Sequence, residues 1–297
     1  MRVRARCDVR RRRERSPDGP HRHDRQEGCL DRPPDPLPTR VDSLPPLPAE
    51  YERALDAGLA AIGLSLSDDA RRTIDGHVRL LIAWNAAINL TAIRDPAEIA
   101  IRHVVDSLTG LRVLDARGIH AIVDLGSGGG FPGLPLAATL PFARAMLVES
   151  VAKKARFLET VVAATELADV VQVAAVRAEA MSSVPRGAAV VARALAPLAE
   201  LIELAFPLLV GAGGSLVAWK SASALGPGGG DELGAARRAI AAIDPGASIA
   251  VEPAVPDDAG AAVADLVDHR LVVVTRRATR IARGWPRDPA ARKRRPW

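Results

Sequence analysis

The chain has 297 residues, a net charge of +5, 48% apolar residues and only 3% aromatic ones, so it can hold one large domain or two modest ones around an aliphatic core. The charge-free run 204–219 is broken by Pro207, Gly211, Gly213 and Gly214 and is too short to span a bilayer, and no apolar segment follows the Arg-rich start, so neither a membrane helix nor a secretory signal is expected. The two cysteines, Cys7 and Cys29, support no disulfide framework and no Cys-based metal site, which fits a reducing cytoplasm.

Charge is unevenly distributed. Residues 1–48 carry 12 Arg against 8 acids, and residues 276–297 carry 9 Arg or Lys against 1 acid. The stretch between, 49–275, holds 19 basic and 26 acidic residues. An acidic core thus ends in a basic tail, and that tail is where a polyanion would be met.

Residues 1–48 mix Arg clusters with turn-formers and read as a disordered leader. Residues 49–115 read as a helical unit. Leu55, Leu59, Ile62 and Leu64 form one apolar stripe, and Ile74, Val78, Leu81, Ile82 and Trp84 a second. Asp95-Pro96 opens a third helix through Leu111.

From 116 to 275 strands and helices alternate. Strands are expected at 121–125, 144–149, 170–174, 188–193 and 214–219, and helices at 133–139, 152–164, 197–209 and 231–243. This alternation predicts a doubly wound, mostly parallel α/β sheet with helices on both faces. Two further strands, 249–253 and 270–275, are expected to form a hairpin-like return at the sheet edge.

The sharpest signal lies at 121–133. An apolar run ends in Asp124, glycines follow at 126, 128, 129 and 130, and Pro132-Gly133 starts the next helix. Glycines allow a sharp turn and let the backbone approach a ligand closely. This is the nucleotide-binding corner of a doubly wound sheet. Gly128, Gly130 and Gly133 match the dinucleotide pattern, whereas Asp124, Gly126, Gly128 and Gly130 match that of S-adenosylmethionine sites, so the motif alone leaves the ligand open.

Other candidates sit at strand ends. Glu149 closes the second strand, where a carboxylate can accept both ribose hydroxyls of an adenosine. Ala178-Glu179 follows the third strand, in the loop that passes the adenine. There a backbone N–H can reach a ring nitrogen and Glu179 can accept from the exocyclic amine. Arg193 ends the fourth strand at the ligand crevice, and Lys220 sits at the same edge. No Asn/Asp-Pro-Pro-Tyr/Phe signature follows the fourth strand, which argues against methylation of an exocyclic amine. Arg102, His103, Asp106 and Ser107 form a polar cluster with Arg102–Asp106 and His103–Ser107 at i,i+4 spacing, a candidate substrate-facing stripe.

Taken in order, Trp84-Asn85, Ile88-Asn89-Leu90-Thr91, Arg102-His103-x-x-Asp106-Ser107-Leu108, Asp124-x-Gly126-Ser127-Gly128-x-Gly130-Phe131-Pro132-Gly133, Glu149-Ser150, Lys153-Lys154, Arg177-Ala178-Glu179, Arg193-Ala194 and Ala218-x-Lys220 form a specific series. It resembles the bacterial 16S ribosomal RNA guanine-N7 methyltransferases, formerly called glucose-inhibited division protein B, over about residues 50–290. Gly284-Trp285-Pro286-Arg287 is similar to that family's Tyr-Pro-Arg tail, with Trp for Tyr. The resemblance implies a class I methyltransferase sheet with an N-terminal helical extension, S-adenosylmethionine as cofactor, and guanine 527 of 16S ribosomal RNA, or the small ribosomal subunit, as target. It also implies cofactor contacts from Gly126, Phe131, Ala178, Glu179 and Arg193. A cytoplasmic monomer without a metal is expected. The alternatives are a methyltransferase acting on another RNA, a protein or a small molecule, and a nicotinamide-dependent oxidoreductase.

Overall fold

The computed structural model describes residues 37–140, 144–181, 184–185, 187–226 and 230–297. The expectations for residues 1–36 lie outside these. The helical region comprises α1 (Ala49–Ala61), α2 (Asp68–Ile88), α3 (Pro96–Ile99), a π-helical segment at Ala100–Val105, α4 (Asp106–Leu108) and α5 (Leu111–Asp115). Ser67 caps α2 by accepting from the Ala70 amide, and Asp95 caps α3 by accepting from Glu98, so both starts are written in the local sequence.

The alternating region follows as β1 (Ala121–Leu125), α6 (Gly133–Thr139), β2 (Arg144–Val148), α7 (Ala152–Ala164), β3 (Val171–Ala174), a short 3-10 turn at Ala178–Ala180, β4 (Ala189–Arg193), α8 (Leu198–Ala205), β5 (Ser215–Ser221), α9 (Ala222–Leu225), α10 (Glu232–Ile243), β6 (Ser248–Pro253) and β7 (His269–Thr275). A last helix, α11 (Pro289–Arg294), lies in the basic tail. The strand order is β3-β2-β1-β4-β5-β7-β6. Strands β1 to β5 pair parallel, as their apolar runs require, and β7 pairs antiparallel with both β5 and β6. The expected return at the sheet edge is thus present, with β7 inside β6 because its run Leu271–Val274 is buried.

Side chains alternate between the two faces of the sheet. Ile122, Val191, Val217 and Val273 face one core, shared with Tyr51, Leu55, Trp84 and Phe157 of the helices. Val123, Val190, Leu216 and Val272 face the other, shared with Phe206 and Ile240. The N-terminal helices thus have no core of their own: they cover one face of the sheet.

Two sequence expectations need correction. The disordered leader does not extend to residue 48. Leu37, Val41, Leu44 and Leu47 pack against the first core. Trp84 Nε1 donates to the Pro38 carbonyl at 2.7 Å, and Arg79 donates to the carbonyls of Leu44 and Pro45. The turn-formers are there to lay an irregular segment across α2, not to solvate it. Likewise the basic tail is not wholly free: α11 and the residues before it fold back on α8.

Candidate functional site

The loop after β1 is held from every side. The Gly126 and Ser127 amides both donate to the Val148 carbonyl at the end of β2, at 2.8 and 3.1 Å. Gly126, Gly128 and Gly130 have φ of +72°, +53° and +90°, values that disfavour any side chain. A Cβ on Gly126 would also lie 2.6 Å from Leu195.

Two carboxylates fix the loop from inside. Asp124 Oδ2 accepts from the Gly133 amide at 3.0 Å, closing the turn onto the start of α6. Burial pushes Asp124 up to about 7, partly offset by that amide bond. Glu149 Oε2 accepts from the Gly128 amide at 3.0 Å and Oε1 from the Val151 amide at 2.7 Å. Asp124 therefore acts within the turn, and Glu149 does part of the helix-entry work before α7.

This network bears on the choice left open by the glycines. A pyrophosphate site needs free amides at the helix start. Here the Gly128 and Gly133 amides are committed to carboxylates, Gly130 donates to Ser127, Leu134 to Gly130 and Leu136 to Pro132. Pro132 and Pro135 have no amide hydrogen to give. Most of the corner's amides are thus already engaged, with those of Gly129 and Phe131 the exceptions among the described residues.

Two cavities flank the loop and share Gly126, Gly128, Lys154 and Ala194. Ala194 holds the left-handed conformation, φ +55°, between them. The first, of about 440 Å³, is lined by Glu149, Val176, Ala178, Glu179, Leu195 and Arg292 among others. The second, of about 560 Å³, is lined by Thr91, His103, Phe131, Arg193, Trp219, Lys220 and His269 among others. Sequence-expected residues thus divide between them, with Glu149, Ala178 and Glu179 in one and Arg102, His103, Asp106, Phe131, Arg193 and Lys220 in the other.

The second cavity is a locked network. Asp106, 1% exposed, pairs through Oδ2 with Arg193 at 2.7 Å and through Oδ1 with His269 Nδ1 at 2.8 Å. Its backbone carbonyl accepts from Trp219 Nε1. Burial pushes the Asp106 carboxyl up, but the His269 hydrogen bond and the Arg193 charge overcome this and hold it below its ordinary value. The Asp106 hydrogen bond in turn raises His269.

Arg193 also donates to His103 Nδ1 at 3.2 Å. A guanidinium can only donate, so Nδ1 accepts and the His103 proton sits on Nε2, which donates to Thr91 Oγ1 at 2.7 Å. Burial, reinforced by the Arg193 charge, lowers His103 to about 3, so it is neutral. His103 stacks on Phe131 at 4.8 Å, with the Arg193 guanidinium 5.4 Å from the same ring.

The expected i,i+4 pairings are corrected here. Arg102 faces out toward Glu98 at 3.6 Å, not Asp106. The π-helical segment over residues 100–105 shifts the helix phase, so Asp106 turns inward. Ser107 is fully buried and donates to the His103 carbonyl, which removes it from any substrate-facing stripe. Lys220 lines the cavity, but its Nζ is engaged by Glu232 and the Ala196 carbonyl, each at 2.7 Å.

Sequence reasoning missed His77 and His269. His77, in α2, donates from Nε2 to the Gly129 carbonyl at 2.7 Å and lies 4.5 Å from the Phe131 ring. Burial lowers it to about 4, so it is a neutral prop under the glycine loop. A lone His on an apolar helix face carries no signal of this; only the fold brings it across 52 positions. Asn85 was visible within a motif, and it shapes the Asn-Leu-Thr segment by accepting from the Leu90 and Thr91 amides and donating to the Thr91 carbonyl.

The basic tail departs most from expectation. Of the last four cations of the tail expected to meet a polyanion, Arg292, Lys293, Arg294 and Arg295, the first is buried and pairs with Glu179, while the other three are exposed.

A mostly parallel sheet whose glycine loop borders a cavity lined by Glu149, Ala178 and Glu179 has a Rossmann-like fold of the class I methyltransferase type. The rRNA small subunit methyltransferase G family matches residues 71–237, and the chain belongs to that family. It is 41% identical to the ribosomal RNA small subunit methyltransferase G of Anaeromyxobacter sp. (strain Fw109-5) over 57% of this chain and 77% of that one. It is equally 41% identical to the protein of that name from Stenotrophomonas maltophilia (strain K279a), over 59% and 79%. Among solved structures it aligns with an O-methyltransferase from Bacillus cereus in complex with SAH, at 17% identity over 76% of this chain and 100% of that one, with a TM-score of 0.48.

Proposed function

We propose that the protein methylates N7 of a guanine in 16S ribosomal RNA, guanine 527 by family resemblance, with S-adenosylmethionine as the methyl donor. The observation that carries this reading is the meeting of two different cavities at Gly126 and Gly128. One is lined by carboxylates and apolar walls, and the other by an aromatic ring among paired charges.

The residues present fit the cofactor. Each Glu149 oxygen accepts one amide and keeps a lone pair for a ribose hydroxyl. Val176 and Leu195 offer apolar faces for a purine, with Ala178 and Glu179 at its edge. Gly126, Gly128 and Gly130 would let the cofactor lie against backbone. When bound, the cofactor supplies an electrophilic methyl group on a sulfonium.

What the protein must do is align. Guanine N7 has an in-plane lone pair and no proton, so no general base is needed, and rate comes from holding the acceptor in line. The buried Phe131 ring, packed by His77, His103 and Arg193, anchors the glycine loop beside the acceptor cavity and so fixes where a base would meet the methyl group. Positive charge develops on the guanine as N7 is methylated, so a free cation beside it would oppose reaction. Arg193 is paired with Asp106 and Lys220 with Glu232, which lessens that opposition, and Lys154 at the cavity edge has no ion pair among the described residues. The reading carries a cytoplasmic monomer acting without a metal.

The test is direct. Small subunits from a strain lacking this gene are incubated with the protein and S-adenosylmethionine, and their RNA is reduced with borohydride and cleaved with aniline, which breaks the strand at N7-methylguanine. A new cleavage at the guanine equivalent to 527 supports the proposal. Methyl incorporation without that cleavage would sink the N7 assignment.

A further inference from the structure

The geometry points to Arg292 as a positioning residue for the adenine end of the cofactor cavity, held in place by the arm 276–297, which straps α8 to the turn after β3. This rests on the S-adenosylmethionine reading above.

Arg292 is a basic residue of a basic tail, yet its side chain is only 8% exposed. Its Nη2 pairs with Glu179, its Nε lies 3.0 Å from Glu200 Oε1, and its Nη1 donates to the Arg287 carbonyl at 3.1 Å. Arg292, Glu179 and Glu200 all line the cavity that holds Glu149. The cavity wall is therefore completed by a residue more than a hundred positions from the glycine turn.

The strap has its own anchors. Asp244 Oδ2 accepts from the amides of Arg277 and Ala278 at 2.9 and 3.0 Å. Arg276 is buried and donates to the carbonyls of Phe206, Leu209 and Ala278. Arg287 forks onto the fully buried Glu203 through Nε and Nη2, at 2.9 and 2.7 Å, and adds its amide at 2.6 Å. Its guanidinium lies 5.7 Å from the Trp285 ring and 4.4 Å from the Trp297 ring. Trp297 Nε1 donates to the same Glu203 at 2.9 Å. Asp288 then caps α11, which presents Arg292 inward.

Glu179 needs such a holder. It sits on a three-residue 3-10 turn, and its other cation, Arg177, is exposed and 3.8 Å away. A long carboxylate side chain on a short turn samples several rotamers, and fixing it costs entropy at each binding event. A buried guanidinium that holds one oxygen removes that cost and leaves the second oxygen to face the ligand. Burial pushes Glu179 up, and the Arg292 hydrogen bond more than offsets this, so it stays an ionised acceptor. An ionised acceptor suits the amino group at position 6 of adenine. It repels the carbonyl at position 6 of hypoxanthine, which has no hydrogen to donate there.

Calorimetry with S-adenosylhomocysteine and S-inosylhomocysteine tests this on the full chain. The wild type is expected to prefer the adenosyl compound by about tenfold or more, the equivalent of one charge-assisted hydrogen bond. Arg292→Ala should weaken the adenosyl compound by about tenfold and bring the preference toward one, and Arg292→Lys should recover part of it. Glu179→Gln, which keeps shape and disturbs the strap less, should abolish the preference even if Arg292→Ala proves too unstable to measure. A preference unchanged in folded Arg292→Ala, or in Glu179→Gln, overturns the proposal and leaves Arg292 a structural latch. Failure of the wild type to bind either nucleoside would instead overturn the cofactor reading on which it rests.

Discussion

The two cavities beside the glycine loop are built on opposite plans. In the one that holds Glu149, that carboxylate grips backbone with part of its accepting capacity, Glu179 is held by Arg292, and both have capacity left for a ligand in the cavity. In the one that holds Phe131, Asp106, Arg193, His103 and His269 satisfy one another, and Thr91 and Trp219 close the network. The first is a set of unfinished hydrogen bonds waiting for a polar ligand. The second is a largely finished frame that packs the buried Phe131 ring and pairs most of its charges, with Lys154 at its edge the cation that has no ion pair among the described residues. Binding and alignment are thereby assigned to different residues, and the comparison can be broken from either side.

The largest expected effect is on the frame. Asp106→Ala leaves Arg193 and His269 without their counter-charge in a buried site, which costs about 3–5 kcal/mol of stability. Denaturant unfolding at pH 7 measures it. A midpoint that barely moves would mean that the network is not what holds the second cavity.

Next comes the unfinished side. Glu149→Ala should lower affinity for S-adenosylhomocysteine by about 2–4 kcal/mol, the value of two charge-assisted bonds with imperfect additivity. The 2′-deoxy analogue, which the wild type should bind less well, should lose its disadvantage in the variant. Equal discrimination by both proteins would reduce Glu149 to a clamp on Gly128 and Val151.

The smallest effect sharpens the comparison through pH. His77 and His103 are lowered to about 4 and about 3, so between these values and the ordinary histidine value of 6.5 the unfolded chain binds protons that the folded one refuses. Stability then falls as pH falls below 6.5, by about 1.4 kcal/mol per pH unit for each histidine. Asp124, raised to about 7, binds its proton in the folded state first and works in the opposite direction between about 4 and 7. Asp75, raised to about 6 by burial, also works in the opposite direction, between about 4 and 6, so the two carboxyls offset much of the histidine effect. His77→Gln, which can still donate to Gly129, should therefore change the slope of stability against pH by one histidine's share, gaining stability relative to the wild type as pH falls, in urea titrations from about pH 4.5 to 7.5. An unaltered slope would show that His77 is protonated in the fold.

The sheet was legible because its signals are local. The apolar runs at 121–125 and 144–149, the Pro132-Gly133 helix start and the amphipathic 152–164 each state their own structure. The glycine turn was legible for the same reason. The Asp106 partnership was not, because i,i+4 spacing assigns it to Arg102 and no sequence pattern announces the π-helical turn that rotates it toward Arg193 and His269. Composition misled at both ends of the described chain. Residues 37–47 lack periodicity because they cross α2 as an irregular strap, and the charges at 276–297 look solvated because their partners, Glu179, Glu200 and Glu203, lie 84 to 113 positions away. Long-range pairing of this kind leaves no trace in a single sequence.

The tryptophans have a consequence of their own. Trp84 is bonded to Pro38 at the crossing of residues 37–47 over α2, and Trp219 lines the acceptor cavity. Trp285 and Trp297 stack at 5.7 Å with their planes 25° apart on the arm. Two indoles this close couple their transitions and give a paired band in circular dichroism, which vanishes when they separate. The chain therefore carries its own optical gauge: the couplet reads whether the arm is docked, with no label attached.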